Sequence, residues 1–194
     1  MFLVGDAHQR IYRHRAVFSK VGIDIRGRGR RLRINYRTTD EIRRWAAAQL
    51  ANCPVDNLDG QPNTLVGYKS MTHGPTPEDQ AIESRDAERT AIATTLTRLE
   101  AEGIPESGIW IVVRTNDEAY EYAEWLGRIG KKALRLDRDV GDSQDTPGIR
   151  IATMHRVKGL EFDAVIIAGY RGPEQLAREY TEDTERGRLR GRID

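Results

Sequence analysis

Apolar and polar positions follow two different rhythms along the chain. Near the start, Leu32, Ile34 and Tyr36 alternate with Arg33, Asn35 and Arg37, the period-two pattern of a short strand with one buried face. Thr38 or Thr39 then stands before Asp40 and Glu41, which predicts a capped helix with Ile42, Trp45, Ala46 and Leu50 on one side, ended by Cys53-Pro54. Upstream, Phe2-Leu3-Val4 reads as the end of a buried strand stopped by Gly5-Asp6, so the chain is expected to open in mid-structure. Val21 to Arg30 reads as an exposed connector of glycines and arginines. Residues 53 to 80 are expected to form a long loop holding one short strand, Thr64 to Tyr68.

The second half is more regular. Ala87, Ala91, Ile92, Leu96 and Leu99 recur at helical spacing and predict a helix from about Glu83 to Glu102, stopped by Gly103 and Pro105. Ile109 to Val113 is a continuous apolar run, as in a strand covered on both faces. Asn116 is expected to cap the next helix, which carries Ala119, Tyr122, Ala123 and Leu126 and closes at Gly127 or Gly130. Further strands are expected at Lys132 to Leu136, Gly148 to Thr153 and Ala164 to Ala168, with a polar loop from Asp139 to Gly148 and a charged tail from Arg171. Trp45, Trp110 and Trp125 fall inside these elements and are expected in the core. Strands alternating with helices predict a three-layer α/β/α fold, in which right-handed crossovers build a parallel sheet between helices.

Composition narrows the class. At 194 residues the chain is the size of one ordinary domain, and 38% hydrophobic against 31% charged residues suits a packed, water-soluble core. No apolar run reaches the roughly 18 residues a membrane span needs, and no signal peptide is evident, so a cytoplasmic location is expected. The single cysteine, Cys53, offers no internal disulfide and no cysteine-cluster metal site. The net charge of +1 conceals an asymmetry: residues 1 to 44 carry twelve Lys or Arg against four acids, a local balance of +8, and the other 150 residues sum to −7. A block this basic points either to a polyanion partner, nucleic acid or nucleotide phosphate, or to a solvated arginine-rich leader.

Ligands of open parallel sheets bind at the carboxyl ends of the strands, so the polar residues after each strand are read together. Three clusters qualify. In VGDAHQRIYRHRA, Gln9 can hydrogen-bond a phosphate or an attacking water, while Tyr12, His14 and Arg15 mix aromatic faces with charge, as stacking on single-stranded bases requires. In LRINYRTT, Tyr36 offers a flat face to a base, and Arg37 a planar fork to phosphate oxygens. In TMHRVKGLEFDAVII, Thr153, His155 and Lys158 share a turn between strands, Gly159 permits close backbone approach, and Glu161 can hydrogen-bond a sugar hydroxyl or simply pair with Lys158. His14 and His155 are too far apart, and too short of further ligands, to favour metal binding.

These blocks carry a resemblance. VGDAHQRIYRHRA is similar to the third motif of the UvrD/Rep/PcrA-like superfamily 1 DNA helicases, and NYRTTDEI to the fourth. IWIVVRTNDEAYEYAEWLGRIG resembles the strand and helix that follow, and TMHRVKGLEFDAVII the fifth motif. The four stand in the family's order and cover most of residues 3 to 168.

The resemblance implies that residues 31–172 form the second RecA-like motor domain of an ATP-dependent translocase on single-stranded DNA, usually moving 3′ to 5′. Residues 1–30 would hold the third motif and a basic connector from the boundary with a first motor domain, and residues 173–194 a charged tail. Gln9 would sense the γ-phosphate, Tyr36 stack on adenine and Arg37 act as an arginine finger. Gly159 and Glu161 would approach the triphosphate and ribose. Thr153, His155 and Lys158 would line the DNA side, and Tyr12, His14 and Arg15 would couple nucleotide to DNA.

Several family features have no counterpart here. The chain lacks the phosphate loop G-x-x-x-x-G-K-S/T, a DE-x-Q segment and the sixth motif, and His14 replaces the family's aromatic wedge. Asp139 to Gly148 alone fills the place of the usual accessory insertion. ATP and Mg²⁺ are therefore expected to act in a longer protein that supplies the phosphate-loop and metal ligands, with single-stranded DNA and the missing N-terminal motor domain as partners, at the nucleoid. By itself the chain is expected not to hydrolyse ATP. The alternative is a non-catalytic RecA-like module that binds single-stranded DNA or a protein.

Overall fold

The computed structural model describes residues 18, 22–23, 30, 32–50, 67–137 and 146–170. They divide into two compact units, one among the described residues up to Glu78 and the other comprising Asp79–Tyr170. The expected strand at Phe2 to Val4, most of the connector before residue 30, most of the loop after Asp139 and the tail from Arg171 lie outside the described residues.

In the first unit, β1 (Ile34–Asn35) pairs in parallel with β2 (Lys69–Ser70), Ile34 opposite Lys69 and Asn35 opposite Ser70. The second strand was expected at Thr64 to Tyr68. Residues 64–66 of it lie outside the described residues, Gly67 and Tyr68 are not strand, and the described pairing is made by Lys69 N donating to Arg33 O (2.9 Å) and Met71 N to Asn35 O (3.2 Å), bonds that no local pattern reveals. The buried face expected of β1 is also corrected. Leu32, Ile34 and Tyr36 are 84%, 51% and 71% exposed, because period-two alternation decides which residues share a face and not whether anything covers it.

Helix α1 (Asp40–Gln49) starts at Thr39, whose Oγ1 accepts from Ile42 N (3.3 Å), and ends at Leu50, ahead of the expected Cys53-Pro54 stop. Its expected apolar side does not become a core. Ile42 is exposed and Trp45 half-buried, whereas Asp40 is the one buried residue of the helix. The helix is anchored through its polar first turn.

The second unit is a four-stranded, all-parallel sheet in the order β4-β5-β3-β6, formed by β3 (Ile109–Val113), β4 (Ala133–Arg135), β5 (Ile149–Thr153) and β6 (Ala164–Ile167). Helices α2 (Arg85–Ala101) and α3 (Asn116–Arg128) flank it. This is the α/β parallel-sheet fold that the alternating elements predict.

Both helices pack on one face. Ile92, Leu96 and Leu99 of α2 and Ala119, Tyr122, Trp125 and Leu126 of α3 meet Ile109, Ile111, Val113, Ile149 and Ile151 in a single cluster. Ile109, Ile111, Val113, Leu126, Ile149 and Ile151 are all 0% exposed, and each such aliphatic side chain contributes on the order of 1.5–3 kcal/mol by leaving water. The opposite face carries a smaller cluster of Trp110, Leu136 and Ala152, against which Val157 and Phe162 pack, with the Trp110 and Phe162 rings 4.8 Å apart. On β6, Ala164 and Ile166 join the first cluster while Val165 and Ile167 remain 47% and 39% exposed.

The helix starts follow side-chain chemistry. Ser84 Oγ caps α2 by accepting from Ala87 N (3.2 Å). For α3 the cap is Thr115 rather than the expected Asn116. Thr115 Oγ1 accepts from Glu118 N and Glu118 Oε2 accepts from Thr115 N, both at 3.2 Å, a reciprocal capping box. Asn116 already has helical backbone, so its side chain cannot serve the turn it begins. Gly103 (φ +86°) closes the end of α2 in the left-handed conformation that a glycine adopts without strain.

Candidate functional site

Tyr36 and Arg37 occupy a turn between β1 and α1, and Asn35 builds that turn. Asn35 Oδ1 accepts from Arg37 N (2.9 Å) and Thr38 N (3.3 Å), while its Nδ2 donates to Thr38 Oγ1 (2.5 Å). An amide side chain that takes the next backbone donors fixes the chain in an Asx turn, leaving the following side chains to point outward. Both Tyr36 and Arg37 are exposed. An exposed phenol ring and an exposed guanidinium thus follow each other in sequence on a turn held by Asn35.

The loop is braced from α1. Asp40 N donates to Thr72 O (2.9 Å), and Asp40 Oδ1 accepts from Arg43 Nη2 (2.6 Å), Arg43 Nε (3.0 Å) and Ser70 N (3.4 Å). Arg44 Nε lies 2.6 Å from the other oxygen. The hydrogen bond from Arg43, joined by Ser70 N–H and both arginine charges, outweighs desolvation and lowers the Asp40 pKa. Glu41 reaches the same strand exit: Oε1 is 2.9 Å from His73 Nδ1, and Oε2 accepts from Gly74 N (3.0 Å). The His73 contact, followed by the Gly74 N–H, pulls its pKa down to about 2. Two carboxylates in the first turn therefore hold residues 70–74, and with them β2, against the base of the Tyr36–Arg37 turn.

The second group of expected site residues lies on one segment of the other unit. Thr153 ends β5 half-buried, and its carbonyl accepts from Arg156 N (2.9 Å) and Val157 N (3.2 Å), which closes a tight turn. Met154 N donates to Val113 O (3.0 Å), tying the turn to the end of β3. Val157 and Phe162 face inward to Trp110; His155 before these anchors and Lys158, Gly159 and Glu161 between them are all exposed. Gly159 has φ +89°, and nothing lies within 4 Å of where its Cβ would be. Its requirement is the left-handed backbone and not tight packing.

The structure thus brings Tyr36 together with Arg37, and Thr153 together with His155, Lys158, Gly159 and Glu161. Gln9, Tyr12, His14 and Arg15 lie outside the described residues. Sequence reasoning missed the hydrogen bonds made by two side chains of these turns, Asn35 and Arg156. For Asn35 a signal existed, an Asn placed two and three residues before backbone donors that need an acceptor. For Arg156, whose Nε donates to Asp137 O (3.2 Å), none did, since its acceptor lies 19 residues away.

Residues 126–185 match the family described as UvrD-like helicase C-terminal domain. The ATP-dependent DNA helicase UvrD2 of Mycobacterium bovis and that of Mycobacterium tuberculosis are each 29% identical to the chain over 133 residues, which is 66% of this chain and 19% of the relative. The chain therefore spans only that 19% of the curated relatives it matches. No solved structure matches it significantly. Residues 126–185 are thus similar to the C-terminal domain of UvrD-like helicases, and two thirds of the chain is similar to part of the UvrD2 helicases.

Proposed function

We propose that the chain is the nucleotide-sensing and DNA-contacting part of the second motor domain of an ATP-dependent translocase on single-stranded DNA. The observation that carries this reading is the Asn35-built turn, which holds an exposed aromatic ring beside an exposed guanidinium. Tyr36 would stack on the adenine. Arg37 would reach the γ-phosphate and stabilise the charge that spreads over its oxygens in the transition state. Because the phosphate loop is absent from this sequence, Arg37 would complete a site built mainly by another domain, so that hydrolysis depends on closure of a cleft. Gln9 would act with it at the γ-phosphate.

Glu161 and Gly159 suit the ribose and the triphosphate, and Thr153, His155 and Lys158 suit phosphates and sugars of the strand. ATP is bound with Mg²⁺ in such motors. Among the described residues no group of three His, Cys, Asp or Glu could hold a metal ion; by their chemistry Tyr36, Glu161 and Arg37 suit the base, the ribose and the γ-phosphate.

The test is ATP hydrolysis by the whole reading frame that contains this chain. DNA-stimulated turnover is expected, falling by about 10³-fold in Arg37→Ala, while Tyr36→Ala chiefly raises KM. The 194-residue chain by itself is expected to show no turnover. Turnover that survives Arg37→Ala would refute the assignment of Arg37, and a whole protein that binds single-stranded DNA without hydrolysing ATP would favour a non-catalytic module.

A further inference from the structure

Asn35 holds the exits of β1 and β2 at once. Its main-chain carbonyl accepts from Met71 N (3.2 Å), and its side-chain oxygen accepts from Arg37 N (2.9 Å) and Thr38 N (3.3 Å). Met71 and the turn that starts at Tyr36 are therefore attached to the same amino acid. The register agrees. Ile34 pairs with Lys69 and Asn35 with Ser70, so Tyr36 and Met71 are the next residue on each strand. Neighbouring strands lie about 4.8 Å apart, and a planar ring laid on Tyr36 reaches across that gap.

Alternation separates what is covered from what is open. Asn35 and Ser70 are half-buried and tied to the start of α1, Asn35 Nδ2 donating to Thr38 Oγ1 (2.5 Å) and Ser70 N to Asp40 Oδ1 (3.4 Å). The residues on either side of them, Ile34 and Lys69 before and Tyr36 and Met71 after, are exposed, Tyr36 by 71% and Met71 by 64%. A lone exposed methionine is ordinary on a protein surface. This one ends a parallel strand whose neighbour ends in an exposed aromatic ring, and ligands of parallel sheets bind at that end of the strands.

We infer that Met71 is a second base-contacting residue of the nucleotide site and that it favours purines over pyrimidines. This rests on the reading of Tyr36 as the residue that stacks on adenine. A phenol ring covers roughly one ring of a purine, and the other overhangs it toward β2. A thioether is apolar, polarisable and flexible, so it packs on that overhang without demanding a hydrogen-bond pattern. A pyrimidine stacked on Tyr36 has no second ring to offer and leaves Met71 untouched.

The experiment is steady-state hydrolysis of ATP and of CTP, with single-stranded DNA present, by the whole protein that contains this chain. In Met71→Ala, kcat/KM for ATP is expected to fall by roughly 3- to 10-fold through KM, the order for partial burial of one apolar side chain, while kcat/KM for CTP stays unchanged. Met71→Leu, apolar and of similar volume, should keep the preference for ATP. Because Met71 is exposed, neither substitution empties a core position. Unchanged kcat/KM for ATP in Met71→Ala overturns the proposal. An equal fall for ATP and CTP also overturns it, since Met71 would then pack on protein and not on the base. Failure of the underlying reading looks different: the unaltered protein would hydrolyse neither nucleotide, or Tyr36→Ala would leave KM unchanged for both.

Discussion

The hydroxyl of Tyr122 on α3 donates to the carboxylate of Glu88 on α2 across 2.6 Å. The other oxygen of the same carboxylate accepts from Gly169 N at 2.7 Å, just beyond β6. Glu88 thereby ties two helices to the end of an edge strand. Burial first, and then the Glu88 carboxylate, push the Tyr122 pKa upward, so the phenol stays a donor. Tyr122→Phe is expected to cost about 1.5–3 kcal/mol in urea unfolding, the range for a hydrogen bond to a charged group. Glu88→Gln should cost a similar amount, because its one carbonyl oxygen serves one donor while its NH₂ opposes the other. Wild-type stability in Glu88→Gln would show that Glu88 does not hold both donors.

Removing the turn-builder should impair function while Tyr36 and Arg37 remain. In Asn35→Ala the amides of Arg37 and Thr38 lose their acceptor, and ATP turnover by the whole protein should fall at least tenfold, on the order of 1.4 kcal/mol in the barrier. Asn35→Asp keeps the acceptor oxygen and should retain most of the activity. Equal turnover in the alanine variant would mean that the turn does not need the side chain.

The Glu41 clamp predicts an acid-sensitive first unit. Its folded pKa of about 2 lies below the ordinary 4.5, so the unfolded chain takes up the proton first as pH falls. The stabilisation is present above about 4.5 and is lost progressively as pH drops toward about 2. Glu41→Gln should be less stable than the unaltered chain at neutral pH, and the gap should narrow across that window. A gap that stays constant from pH 6 to pH 2.5 would mean that the carboxylate is not the source.

Core and orphan positions should respond in opposite senses. Leu96 is 1% exposed within the main cluster, and Leu96→Ala should cost about 2–5 kcal/mol through lost burial and the cavity left behind. Ser70 Oγ is buried without a hydrogen-bond partner. Ser70→Ala should therefore be neutral or stabilising by up to about 1 kcal/mol. Thermal denaturation of both variants measures the contrast, and a clear loss in Ser70→Ala would reveal a partner for that hydroxyl.

What the sequence determined by itself was the identity and order of the elements wherever the pattern was long. Ile109–Val113 stands where its apolar run predicts, and α2 and α3 stand within two residues of their expected starts, because helical periodicity and stop signals act within a few residues. The ordered blocks that gather Thr153 to Glu161 on one turn were equally legible.

Tertiary structure decided the rest. The order β4-β5-β3-β6 separates strands that are neighbours in sequence. The pairing of β2 at Lys69–Ser70, the exposure of Ile34 and the burial of Asp40 each depend on groups roughly 30 residues away or on the presence of a covering layer. Arg156 on the Asp137 carbonyl is of the same kind. Local pattern fixes which side chains share a face. Pairing and coverage are settled only by distant partners, whose contacts must offset the entropy of closing the intervening chain.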